Sequence, residues 1–269
     1  MSEQSKEESF PFLVMPMWGS IYPERMQRVQ EIVQFARCTL RGLSYLHRLR
    51  IVHRDICDHN ILVNCHSPGA TLEEFPELFD AHLRSDNAVY AFIDFGQSLQ
   101  LPPDTSITDC RRPGDETGIA MNLFKPWDGC LGEPYYNPFS YDVAALGYLF
   151  RYYFAEAVSV FPALAALFDR MTDFRSSCRM TAQEALEWFE EAVAQLPLDR
   201  LEARVTLDRS FEAMRDEGFY WKKLSSEDQV IWSQYRTPPR PLWMRLLGLI
   251  TRYRLVFRML CYVRELLQI

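Results

Sequence analysis

Residues 53–60 read His-Arg-Asp-Ile-Cys-Asp-His-Asn, and residues 94–96 read Asp-Phe-Gly. The first run sets a carboxylate and a carboxamide five positions apart in one loop, and the second supplies another carboxylate from a later segment. A chain that uses all three must fold these segments against each other. Phosphoryl transfer makes that demand: it needs a carboxylate near the accepting hydroxyl and oxygen ligands for the magnesium that neutralises the phosphates. Asp55 meets the first need, and Asn60 and Asp94 meet the second.

The surrounding pattern is readable in coarse outline. From Val29 the apolar positions fall at 29, 33, 36, 40 and 43, the period of an amphipathic helix. That helix is expected to end near His47 to Arg50, with Ile51-Val52 as a short strand before the loop. Ile61 to Val63 and Val89 to Ile93 read as further strands, the second delivering Asp94. Phe10 to Met17 is an apolar run broken by prolines, read as a buried strand entering a linker. Prolines 102, 103 and 113 mark irregular backbone after Gly96. From Asp142 to about Ala194 the chain reads as helical.

With these residues in place, the chain resembles the C-terminal lobe of the eukaryotic protein kinase family. Asp-x-x-x-x-Asn at 55–60 matches that family's catalytic-loop spacing, and Asp94-Phe95-Gly96 matches its metal-binding signature. Leu43 to His47 with Ile51-Val52-His53, Asp142 to Gly147, and Arg179 to Leu186 resemble three further segments in family order. The resemblance covers roughly residues 12–189. It implies an α+β, predominantly α-helical fold: a kinase-like C-lobe with a short hinge strand and small catalytic-loop strands, the N-lobe absent. It implies ATP and Mg2+ as cofactors and a protein as substrate or partner.

Site roles follow from the same resemblance. Asp55 would orient the substrate hydroxyl, and Asn60 and Asp94 would hold magnesium. Met15 would guard the back of the nucleotide pocket. The Pro16 carbonyl and Trp18 N–H would face adenine's edge, with Leu62 beneath the ring. His53 and Phe95 look like packing partners, with Gly96 completing the signature. Asp142 looks like a buried acceptor for loop N–H groups. Arg54 would pair with an activation-segment phosphate or an acidic neighbour. Arg179 would pair with Asp128 or Glu133 in a degenerate closing motif.

Other features depart from the family. Cys57 stands where serine/threonine members carry a lysine, so a cation is missing beside the transferred phosphate. The 11 glycines include no G-x-G-x-x-G phosphate loop. The expectation is therefore weak or incomplete activity, with a pseudokinase scaffold as the alternative and a small-molecule phosphotransferase as the lesser one.

The expected organisation is a disordered lead-in at 1–10, the kinase-like lobe at 11–195, a charged extension with a Pro-rich linker at 196–241, and a helix at 242–269. Within the lobe, 65–87 is read as a solvated insertion bearing Glu73, Glu74, Glu77 and Asp80, and 96–128 as the activation segment.

Composition narrows the classes. Seven scattered cysteines with no Cys-x-x-Cys pair argue against a disulfide framework or zinc site and for an intracellular setting, cytoplasmic or nuclear. No run approaches the ~20 apolar residues of a membrane span. A net charge of −7 gives no reason to expect nucleic acid. The last 28 residues are different, with five arginines against Glu265, a local +4 that leaves −11 elsewhere. On one continuous helix, Arg245 and Arg252 oppose Arg254 and Arg258. That stretch therefore reads as packed on the lobe, with a membrane surface as the lesser reading.

Overall fold

The computed structural model describes residues 15–65, 74–85, 87–118, 123–126, 131–216, 218–251 and 253–267. The lead-in 1–10, Glu73, and Trp127-Asp128 lie outside the described residues, so the Arg179–Asp128 pairing lies outside them too. Most of the described architecture is helical, with three small antiparallel sheets. Strand β1 (Gly19–Ser20) pairs with β3 (Ile61–Val63), as Ser20 opposite Leu62, and β3 pairs with β4 (Tyr90–Phe92), as Leu62 opposite Ala91. Strand β2 (Ile51–Val52) pairs with β5 (Leu99–Gln100), and β6 (Arg112–Pro113) with β7 (Tyr135–Tyr136). Met15 to Trp18 is not strand, and the rest of the expected first strand, residues 10–14, lies outside the described residues.

Helix α1 (Val29–Arg48) is the long amphipathic helix. It starts where the Glu31 carboxylate accepts from the backbone N–H of Gln27 (2.6 Å) and Arg28 (3.3 Å), capping orphan donors of the first turn. Val29, Ile32, Val33, Phe35, Ala36, Leu40 and Leu43 are buried along it. It stops at Leu49, after which Arg50 takes φ +60°. Helix α3 (Pro138–Phe154) runs through the centre of the core and is buried on nearly all sides. Asn137 caps it by accepting from Phe139 N–H (2.9 Å) and Ser140 N–H (3.2 Å), with Pro138 at the first position, where its missing N–H costs nothing.

Helix α4 (Ala163–Thr172) crosses α3 closely. A Cβ at Gly147 would stand 2.7 Å from Thr172 Cγ2 and 2.8 Å from Met171 Cβ. Gly147→Ala is expected to cost about 1–3 kcal/mol by overpacking, read as a lower urea midpoint. An unchanged midpoint would show that the two helices separate freely. Helix α5 (Ala182–Ala194) begins with a reciprocal Thr181–Glu184 capping box. It lies along α1, joined by Arg37 and Arg41 to Glu190 and by Ser44 to Gln183.

One segment differs from its reading as solvated surface. The stretch read as a solvated insertion holds helix α2 (Phe75–Arg84), whose Phe79 and Leu83 are buried. Phe79 packs edge-on to Tyr22, with centroids 5.6 Å apart, and Asp80 takes both arms of the Arg25 guanidinium at 2.8 and 2.6 Å. The extension forms short helices α6 (Leu198–Leu201), α7 (Phe211–Arg215), α8 (Gly218–Trp221) and α9 (Ser226–Trp232). The Pro-rich run after them is no free tether, because Thr237 N–H donates to the buried Asp169 carboxylate at 2.6 Å and Arg240 is buried. The tail is two helices rather than one, α10 (Leu242–Ile250) and α11 (Arg254–Leu267). Thr251 closes the first by donating from both N–H (3.0 Å) and Oγ1 (2.9 Å) to the Leu247 carbonyl.

Candidate active site

The loop between β2 and β3 is held from below by one carboxylate. Asp142, fully buried on α3, accepts from His53 N–H and Arg54 N–H, each at 2.7 Å, and from His47 Nε2 at 3.2 Å. Charged acceptors give the stronger class of hydrogen bond, so the loop's entry is fixed to the core helix. His53 Nε2–H donates to the Ile93 carbonyl at 2.9 Å, leaving Nδ1 to accept from Asp55 N–H at 3.4 Å. The tautomer follows, since a carbonyl can only accept. The His53 ring also lies 5.1 Å from the Phe95 ring and 5.6 Å from Phe92.

Asp55 and Asn60 meet directly. Asn60 Nδ2 donates to the Asp55 carbonyl at 2.8 Å and to Asp55 Oδ2 at 3.0 Å. Asn60 itself is buried, and its carbonyl accepts from Ile93 N–H at 2.9 Å, which draws the start of the Asp-Phe-Gly segment alongside. Asp94 follows, exposed, at φ +59°, its Oδ1 accepting from Gly96 N–H at 3.2 Å. A Cβ on Gly96 would sit 3.1 Å from that oxygen. Arg54, at φ +67°, and Asp94 are two of the three non-glycine residues in left-handed backbone among the described residues. Such conformations cost of order 1–3 kcal/mol each and gather at functional sites.

The remaining candidates spread out. Leu62 is half-buried on β3 beside β1. Trp18 is half-buried, Pro16 is exposed, and Met15 is 63% exposed, so it does not close the back of a pocket. Arg179 is buried and donates to the carbonyls of Asp173 (2.7 Å) and Ser140 (3.3 Å), while Glu133 pairs with Arg264 from the tail. Cys57 is buried, and burial pushes its thiol up, so it places no charge in the loop.

Two features were not specified from sequence. Glu116, inside the expected activation segment, bridges Arg54 Nη1 at 3.1 Å and Arg112 Nη2 at 2.5 Å. Only the i,i+4 spacing of Arg112 and Glu116 hinted at it. Tyr153 donates its hydroxyl to Asp58 Oδ2 at 2.7 Å, joining the loop to α3 a second time. No helix among the described residues is long and apolar enough to cross a membrane.

Comparison with known proteins reaches the loop at 53–60 but, in the family match, ends before Asp94. Residues 12–88 match the family model of protein tyrosine and serine/threonine kinases. Mitogen-activated protein kinase kinase 9 of Arabidopsis thaliana is 57% identical over 35 residues, 13% of this chain and 11% of that protein. Mitogen-activated protein kinase kinase 7 of the same plant is 54% identical over 35 residues, again 13% and 11%. Mitogen-activated protein kinase kinase kinase nsy-1 of Caenorhabditis elegans is 36% identical over 67 residues, 25% of this chain and 4% of that protein. The matched stretch is thus a small part of each relative. The chain is similar, over these stretches, to protein kinases.

Proposed function

We propose that this chain carries the base-and-metal half of a protein kinase site, built for ATP-dependent phosphoryl transfer to a protein hydroxyl. The direct Asn60–Asp55 hydrogen bond carries the reading. It spends the amide nitrogen of Asn60 on Asp55 and leaves Oδ1 as that residue's ligand atom for magnesium. Asp94, exposed and aimed by its left-handed backbone, is the second ligand, and Asp55 orients the attacking hydroxyl. Pro16, Trp18 and Leu62 are the proposed adenine side, without Met15 behind them. Residues 11–195 form the proposed kinase-like unit, in an intracellular setting.

Glu116 stands in this reading where an activation-segment phosphate would pair with Arg54, so the segment needs no phosphorylation to reach this arrangement. The alternative is a scaffold without turnover. Neutral Cys57 in place of a phosphate-contacting cation, and the exposure of Met15, favour it.

Magnesium-ATP melting shifts separate the two. A ligand at about 100 times its Kd stabilises by about 2.7 kcal/mol, roughly 5–10 °C for a domain of this size. The kinase reading expects such a shift with magnesium-ATP, lost in Asp94→Ala. No shift in the parent chain at saturating nucleotide leaves the scaffold.

A further inference from the structure

The two tail helices carry their apolar residues outward. On α10, Leu242, Trp243, Leu246, Leu249 and Ile250 are 50–76% exposed and, at about 100° per residue, fall in one arc of about 120°. Gly248, on the opposite side, is buried. On α11, Leu255, Met259, Tyr262 and Leu266 are 64–79% exposed and share one face. The other face docks on the turn at 131–133: Cys261 Sγ lies 3.8 Å from the Glu133 carbonyl, and Arg264 pairs with the Glu133 carboxylate. A surface helix ordinarily turns its apolar stripe to the core. Here both stripes face solvent, and exposed apolar surface of this kind marks a partner or a membrane.

Charge selects between them. Residues 242–269 hold five arginines against one glutamate in a chain of net charge −7. A second copy seated stripe to stripe would set Arg245 and Arg258 against like charges, while Arg264 is already paired with Glu133. An anionic lipid surface is complementary to them instead. Arg245 and Arg258, both exposed, lie beside the stripes of α10 and α11. Trp243, Tyr262 and the 72%-exposed Tyr253 are the residue types that settle at headgroup level. Neither helix is long enough to span, so the geometry is that of helices lying in the interface. We propose that Leu242–Leu267 seats this protein on anionic bilayer surfaces as an in-plane anchor.

Vesicle co-sedimentation of the full chain tests this, with phosphatidylcholine vesicles made with and without phosphatidylserine. The parent chain is expected to pellet with the phosphatidylserine vesicles, less so as salt rises. Leu246→Glu/Met259→Glu should lower pelleting about tenfold or more. Arg245→Gln/Arg258→Gln should lower it only on phosphatidylserine vesicles. All four residues are exposed, and unchanged melting of the variants checks their fold. A parent chain that stays in the supernatant, equal pelleting on both lipids, or variants that pellet like the parent would each overturn the anchor. Concentration-dependent self-association lost in Leu246→Glu, without vesicle binding, would overturn it too and give the face to a second copy.

Discussion

Asp142→Ala is expected to destabilise the fold by about 3–5 kcal/mol, a large share of the 5–15 kcal/mol that ordinarily separates folded from unfolded chains. The cost comes from what is left behind. Two backbone N–H groups, of His53 and Arg54, and the His47 ring N–H would stay buried without their acceptor, and each such orphan costs about 1–3 kcal/mol. Asp142→Asn keeps the volume but turns one oxygen into an NH2 that faces a donor, so it should recover only part of the loss. Urea unfolding at constant slope measures both. A shift under about 1 kcal/mol for the alanine variant would mean that the loop is held by something other than this carboxylate. In the surviving folded fraction, Arg54 would be free to leave its left-handed backbone, and Asp55 would lose its fixed approach.

That anchor is legible in the sequence because it belongs to an ordered set of motifs, and motif spacing is local information. The periodicity of α1 is legible for the same reason: one helix face writes itself into residues 29 to 43. What was not legible depends on tertiary partners. Glu116 has only its i,i+4 spacing from Arg112 to suggest one of its two partners, and nothing local to mark Arg54 as the other. Helix α2 was hidden by its own carboxylates. Glu74, Glu77 and Asp80 suggested a solvated loop, although Phe79 and Leu83 stand one helical turn apart and Asp80 is half-buried against Arg25. The tail misled in another way. Its arginines oppose one another only if the helix is continuous, and the turn at Thr251 resets the phase, giving each half its own apolar face.

Asp169 is another buried carboxylate and had no motif to announce it. It accepts from the Tyr220 hydroxyl, from Trp221 Nε1–H at 3.1 Å and from Thr237 N–H at 2.6 Å. It therefore ties α8 and the Pro-rich strap to α4. Asp169→Ala is expected to cost about 3–5 kcal/mol by orphaning three buried donors. Limited proteolysis in the strap at residues 236–240 should accelerate as it detaches. Unchanged cleavage would show the strap is held independently. Burial pushes the Asp169 carboxyl up to about 6, against 3.8 ordinarily. Between those values the folded chain holds a proton that the unfolded chain has released. This group's contribution is therefore fully present below about pH 4 and is lost as pH rises through 6, by about 3 kcal/mol in all. Asp169→Asn carries a constant penalty but cannot titrate. The stability difference, parent minus variant, should therefore fall by about 2 kcal/mol from pH 4 to 6.5 and level off above that. A difference that stays flat across that range would mean the three donors outweigh burial and keep Asp169 ionised throughout.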